Sequence, residues 1–210
     1  EERARAQAIK VDEEIESGLY RGPLHGIPYG VKDIIAVRGY PTTWGAAPFA
    51  DRVIDQDATV VHRLDEAGAV LVAKLTTGEL AFGDRWFGGR TNSPWNPEVG
   101  SSGSSAGSGA ATAAGLVGFS IGTDTGGSIL GPSEQCGVVG LRPTFGRVSR
   151  HGVMAAGTTL DKIGPMCRSA EGAALVLHTI AGPDDRDFSV PDIPVNWDAS
   201  MDPTDLRLGY

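Results

Sequence analysis

A Gly/Ser-dense patch from Gly100 to Gly109 runs without a break into Ala110-Ala111-Thr112-Ala113-Ala114-Gly115-Leu116 and then Val117-Gly118-Phe119-Ser120-Ile121. Composition alone would make such a patch a flexible linker. A linker joins domains, however, whereas this one leads into an alanine-rich helix and an apolar strand, so it belongs inside a βα pattern. The rest of the chain repeats the alternation. Residues 1–17 read as a charged helix with Ile9 and Ile15 among its few larger apolar side chains. Asp57 to Gly68 reads as a helix with Val60, Val61 and Leu64 at helical spacing and Gly68 as its C-terminal cap. Ala69–Ala73 is a continuous apolar run of the kind found in sheets covered on both faces. Ser169 can N-cap a last helix through Ile180, closed by Gly182-Pro183. Alternating helix and strand predicts an α/β layered fold.

Directly after the apolar strand comes Gly122-Thr123-Asp124-Thr125-Gly126-Gly127-Ser128-Ile129. Glycine lets backbone approach a reacting atom closely, so a serine preceded by Gly-Gly can sit where successive backbone N–H groups turn inward, a candidate oxyanion hole. A serine hydroxyl needs a base within hydrogen-bond reach. None of the four histidines, His25, His62, His151 and His178, lies in a setting that marks a catalytic imidazole, and His62 and His178 fall in helical stretches. A desolvated lysine is the other route. Lys32, at the end of the short apolar run Gly26-Ile27-Pro28-Tyr29-Gly30-Val31, is the candidate; the alternative is an ordinary solvated surface lysine.

These stretches resemble the amidase signature family. The similarity rests on Gly22-Pro23-Leu24-His25-Gly26-Ile27-Pro28, Val31-Lys32-Asp33, Gly103-Ser104-Ser105-Ala106-Gly107-Ser108, Gly122 to Ile129, and Cys136-Gly137-Val138-Val139-Gly140-Leu141-Arg142-Pro143-Thr144, with Gly146-Arg147-Val148-Ser149 and Asp161-Lys162-Ile163-Gly164-Pro165-Met166 following in the family's order. The resemblance implies a twisted mixed β-sheet covered by helices on both faces and a Ser–cis-Ser–Lys triad. Ser128 is then the nucleophile, Ser104 the bridging serine behind a cis Gly103–Ser104 peptide, and Lys32 the base. Ser105 helps hold the lysine, and Thr125, Gly126, Gly127 and Ser128 supply oxyanion N–H groups. To act near pH 8 Lys32 must lie about 2–3 below the ordinary 10.4, which burial favours and a carboxylate at Asp33 opposes unless it turns away or is held by backbone N–H groups.

The departures from the family pattern are specific. Ser102-Gly103 and Ala106-Gly107 replace glycine pairs with residues that stay small. Leu130 stands where the family commonly has arginine, so Asp124 must find another partner, face water or shift its pKa upward. Two rival motifs fail. Gly103-Ser104-Ser105-Ala106-Gly107 has the nucleophile-elbow form, but an elbow follows a buried strand, and Ser93-Pro94-Trp95-Asn96-Pro97-Glu98-Val99 reads as loop. No Gly-Lys-Ser/Thr follows the glycines, which excludes a phosphate-cradling P-loop.

A formal charge of −8 argues against direct binding of nucleic acid or an anionic membrane surface. The two cysteines, Cys136 and Cys167, have no metal-like spacing and read as reduced thiols. No metal and no organic cofactor is expected. The default location is cytoplasmic. The expectation is one α/β domain over residues 1–210, incomplete at its C-terminus: a Pro/Asp-rich connector, 183–203, precedes a strand-like run, Leu206–Tyr210, that resembles the opening of the family's second half. A complete small amidase is the alternative. The implied activity is hydrolysis of a small-molecule amide or carbamate, or of a urea derivative, with the amidotransferase subunit of the same fold as an alternative. An inactive fragment or subunit that needs a completing partner chain is the reading of another class, and the partners expected are a homo-oligomeric copy or such a completing chain. Phe82 and Trp86 are expected as apolar pocket walls.

Overall fold

A computed structural model describes residues 1–202, 204 and 207; apart from Arg207, the strand expected over Leu206–Tyr210 lies outside the described residues. The elements run α1 (Glu2–Glu16), β1 (Pro28–Lys32), α2 (Thr59–Glu66), β2 (Val70–Leu75), β3 (Arg85–Trp86), β4 (Gly89–Arg90), β5 (Asn92–Ser93), β6 (Asn96–Gly100), α3 (Ala106–Ala113), β7 (Phe119–Asp124), α4 (Leu130–Cys136), β8 (Val139–Gly140), β9 (Lys162–Cys167) and α5 (Ala170–Ile180). Five strands form one mixed sheet in the order β2-β1-β7-β9-β8. β1 is parallel to β2 and β7, while β9 runs antiparallel to β7 and β8. The fold is α/β with helices on both faces.

Side-chain alternation gives the sheet two unlike faces. Tyr29, Val31, Phe119, Ile121, Ile163 and Cys167 join Val60, Val61 and Leu64 of α2 and Ala173, Val176 and Ile180 of α5 in one apolar core. Burying each large side chain there contributes roughly 1.5–3 kcal/mol. The other face carries α3, backed by α4. Here the strands present Gly30, Ser120 and Gly122, and α3 itself is Ala-Gly-Ser-Gly-Ala-Ala-Thr-Ala. Small residues on both sides bring helix and sheet close enough for hydroxyl contacts: Ser108 Oγ donates to the Ile121 carbonyl at 3.1 Å, Ser120 Oγ to the Ser108 carbonyl at 2.9 Å, and Thr112 and Ser120 hydroxyls meet at 2.8 Å.

Some boundaries differ from the sequence expectation, for packing reasons. The alanine-rich helix begins at Ala106 and not at Ala110, because Gly107, Ser108 and Gly109 are held helical by docking on the sheet despite their low intrinsic propensity. Pro97 does not prevent β6 from pairing with β5 in a short hairpin, on an edge where a missing N–H is tolerated. Ser169 caps α5 by accepting from Gly172 N at 3.1 Å. α1 covers the outer edge of β2: Gln7 accepts from Leu71 N at 3.1 Å and donates to Asp65 at 2.7 Å.

Candidate active site

Lys32 is the last residue of β1, between two parallel neighbours, and it has no solvent exposure. Its Nζ lies 2.6 Å from Ser104 Oγ and 2.8 Å from Thr123 Oγ1. Burial pulls its pKa down to about 7, against the carboxylates of Asp124 and Asp161, which pull upward. Asp33 is turned away: one carboxylate oxygen accepts from Thr43 N at 3.1 Å and from the Thr43 hydroxyl, and the other faces Lys74 Nζ at 3.0 Å. The amine is thus in a buried pocket whose nearest partners are neutral hydroxyls.

Ser104 and Ser105 precede α3, and the Gly103–Ser104 peptide is cis. Gly103 has to be glycine, since a Cβ there would stand 1.8 Å from the carbonyl oxygen of Gly83, which belongs to the turn that also gives Gly78 N to the Ser104 carbonyl at 3.2 Å. Ser105 Oγ donates to the Thr123 carbonyl at 3.0 Å and accepts from Thr123 N at 3.2 Å. β1 pairs with β7 only as far as Ile121, so this hydroxyl replaces the missing strand partner at Thr123. Ser105 therefore makes no bond to Lys32; it clamps the backbone of the residue whose hydroxyl does.

Ser128 is half-buried at the turn between β7 and α4, and its carbonyl accepts from Ser105 N at 3.1 Å, which ties the two serine loops together. Gly127 has φ +113°, a conformation side-chain-bearing residues rarely adopt, and this turns the loop toward α4. Asp124, fully buried, accepts from Gly127 N at 2.8 Å, Ile129 N at 2.7 Å and Leu130 N at 3.4 Å. Arg142 Nη1 stands 3.7 Å from the same carboxylate. Asp124 thus has partners without an arginine at 130, and Leu130 is left exposed. The N–H groups of Gly126 and Ser128 donate to no acceptor among the described residues, whereas that of Gly127 is taken by Asp124. No hydrogen bond joins the Ser104 and Ser128 hydroxyls among the described residues; rotation about χ1 alone redirects Ser128 Oγ among its staggered positions.

A cavity of about 460 Å³ opens beside Thr123 and Thr125 and is walled by Ile34, Met154, Ile163 and Phe188. Phe82 and Trp86 do not line it: Phe82 is 87% exposed, and Trp86 packs edge-on against Phe87 over a separate cleft. Asp161 anchors the near wall, accepting from the Thr125 hydroxyl, from Ala156 N at 2.8 Å and from Gly157 N at 3.0 Å. His25 pairs with Glu14 and His62 with Glu66, while His151 lines the cavity. Thr123, Asp161 and Arg142 have no role in the sequence reading. The signal for Thr123 is its place as the hydroxyl residue between Gly122 and Asp124 at a strand end. Cys136 and Cys167 are buried and unpaired, and no group of His, Cys, Asp and Glu side chains among the described residues could hold a metal. No helix there is long and apolar enough to cross a membrane.

The sequence matches the Amidase family over residues 1–210. It is 47% identical over 198 residues to a glutamyl-tRNA(Gln) amidotransferase subunit of Anaeromyxobacter sp. (strain K), a match that takes in 93% of this chain and 40% of that protein. The native peptide amidase of Stenotrophomonas maltophilia superposes with a TM-score of 0.86 at 41% identity, over 92% of this chain and 42% of that one. The corresponding glutamyl-tRNA(Gln) amidotransferase subunit of Thermotoga maritima superposes with a TM-score of 0.79 at 34% identity, over 92% of this chain and 46% of that one. The chain thus spans less than half the length of these relatives.

Proposed function

The chain belongs to the amidase family, and on that premise we propose that it cleaves the C–N bond of a small amide or carbamate through an acyl-enzyme on Ser128. The observation that carries the reading is the fully buried Lys32 amine, 2.6 Å from the Ser104 hydroxyl, in a loop tethered to Ser128 by backbone. As Ser128 Oγ attacks the carbonyl carbon, its proton passes to Ser104 Oγ while the Ser104 proton passes to neutral Lys32. The oxyanion is received by the N–H groups of Thr125, Gly126 and Ser128; each such donor contributes roughly 3–4 kcal/mol in comparable sites. Gly127 shapes the turn instead, its own N–H being held by Asp124. The proton then returns along the same path to the leaving nitrogen, the C–N bond breaks, and water attacks the acyl-serine with Lys32 again accepting through Ser104. No step calls on a metal or organic cofactor.

The amidotransferase relatives favour a second reading, in which this chain supplies amide cleavage within a larger assembly and requires a partner chain or a second copy. A non-catalytic half is the reading of another class. A cytoplasmic setting fits the unpaired thiols. The test is labelling of the purified chain with a fluorophosphonate, peptide mapping, turnover of a panel of amide and carbamate chromogens, and mass in solution. Adduct on Ser128, lost in Ser128→Ala, is expected; adduct on Ser105 revives the nucleophile elbow, and no adduct together with no turnover supports the non-catalytic half.

A further inference from the structure

The last ladder pair between β7 and β9 is Asp124 with Lys162. One step beyond it both strands have ended, and the same register sets Thr125 opposite Asp161. A side-chain contact takes over there from the ladder: the Thr125 hydroxyl donates to Asp161 Oδ1. Asp161 also accepts from Ala156 N at 2.8 Å and from Gly157 N at 3.0 Å, while Leu160 N and Asp161 N both donate to the Gly157 carbonyl at 2.9 Å. The loop 156–161 is thus closed on itself around one carboxylate. Gly157 lets it lie against Thr125, since a Cβ there would stand 3.1 Å from Thr125 Cγ2. Thr125 opens the turn Thr125-Gly126-Gly127-Ser128, whose two glycines offer no side chain by which the backbone could be held. Two carboxylates do the holding. Asp124 takes the later part of the turn, through Gly127 N, Ile129 N and Leu130 N, and Asp161 takes its start, through Thr125. Both Asp161 oxygens already have protein donors, so its charge is satisfied without the N–H groups of Gly126 and Ser128.

We propose that Asp161 is a positioning residue for the reaction at Ser128: through the Thr125 hydroxyl it fixes the first peptide groups of the turn, so that the N–H groups of Thr125 and Gly126 meet the oxyanion. The proposal rests on the amidase reading of Ser128. Ala156 and Asp161 also line the cavity, so one carboxylate ties the wall beside a bound substrate to the turn that receives its oxyanion. A second consequence is electrostatic. The charged groups that bear on Lys32 are Asp124, which has Arg142 at 3.7 Å, and Asp161; both carboxylates hold the lysine pKa up against burial. Asp33 is turned to Thr43 and Lys74, and α3 carries no ionisable side chain. Removing the Asp161 charge therefore moves the titration of Lys32 to lower pH, whereas merely loosening the site would admit water and move it higher.

The test is inactivation by diisopropyl fluorophosphate, in which Ser128 Oγ displaces fluoride from phosphorus and the phosphoryl oxygen takes the place of the oxyanion. Thr125→Val is expected to lower the limiting rate, kinact, by about 10–10²-fold, the size of a small displacement of the reacting geometry, with the half-saturating concentration, KI, unchanged. Thr125→Ser, which keeps the hydroxyl, restores the rate. Asp161→Asn lowers kinact as well and moves the pH midpoint of kinact below that of the wild type, whereas Thr125→Val leaves the midpoint in place. A kinact unchanged in Thr125→Val, a loss confined to KI, or a midpoint that rises in Asp161→Asn overturns the proposal. The ¹⁵N order parameters of the Gly126 and Ser128 amides give a readout that needs no chemistry. They should fall in Thr125→Val and recover in Thr125→Ser, and unchanged values overturn the proposal even where Ser128 never reacts. Failure of wild-type Ser128 to take the phosphoryl group counts against the amidase reading alone.

Discussion

On the α2/α5 side of the sheet, Tyr29, Val31, Ile121 and Ile163 meet aliphatic side chains, and the residues hold one another by area alone. On the α3 side, the same strands present Gly30, Lys32, Ser120, Gly122 and Asp124, and what they meet is hydroxyls and backbone N–H groups. The first face is held by burial that tolerates approximate fit; the second buries an amine and a carboxylate, and stands only because each has a partner. Two faces of one sheet thus divide the labour. One supplies stability, and the other holds groups in a state that water would not allow.

The comparison can be broken by exchanging these roles. Lys32→Met is expected to have the largest effect, a fall in turnover of about 10²–10⁴, the range for a lost general base. It should also change the pH dependence of stability. The unfolded lysine titrates near 10.5 and the folded one near 7. Between those values the unfolded chain binds more protons, so wild-type stability rises with pH across that window, and the penalty from Lys32 is fully present below about 7. From pH 7 to pH 9 the wild type should therefore gain about 2–3 kcal/mol on Lys32→Met in urea unfolding. A constant difference would mean that Lys32 is not depressed in the folded state.

On the apolar side, Leu64→Ala should cost about 2–5 kcal/mol while Ser128 in the remaining folded molecules still labels at the wild-type rate. Leu64 has no exposure and lies on α2, behind the sheet from Ser128. A labelling rate that falls with stability held by low temperature would show that the two faces are coupled. The smallest effect is expected from Ser108→Ala, which removes one hydroxyl contact between α3 and β7 and should cost about 1–2 kcal/mol. If it costs nothing, the hydroxyl ladder is not what docks α3.

The apolar face was legible in the sequence because burial writes itself as periodicity: Val60, Val61 and Leu64 announced α2, and Ala69–Ala73 announced β2 within two residues of its ends. The polar face was legible only through motif resemblance. Nothing in the composition of Gly103–Ser108 distinguishes a docked helix from a linker, since small residues carry little propensity and their packing depends on a strand that lies later in the chain. The reach of Lys32 to Thr123 spans two strands that are neighbours in space and far apart in sequence. The partnership of Asp124 with Arg142 was hidden for the same reason: with Leu130 in the place where the resembled family has arginine, the sequence left the partner of Asp124 open. Aromatic residues misled as pocket markers: Phe82 and Trp86 are near in sequence to the serine loops, whereas the cavity wall comes largely from residues after 150, Phe188 among them.

The central claim is that a neutral, buried Lys32 accepts the proton of Ser128 through Ser104. The rate of fluorophosphonate labelling at Ser128 as a function of pH tests it most directly, because attack of Ser128 Oγ on phosphorus with loss of fluoride needs the relay but no substrate pocket. The rate should climb with pH as a single ionisation centred near 7, and the climb should be lost in Lys32→Met. A rate independent of pH between about 5 and 9, or the same profile in Lys32→Met, would contradict it.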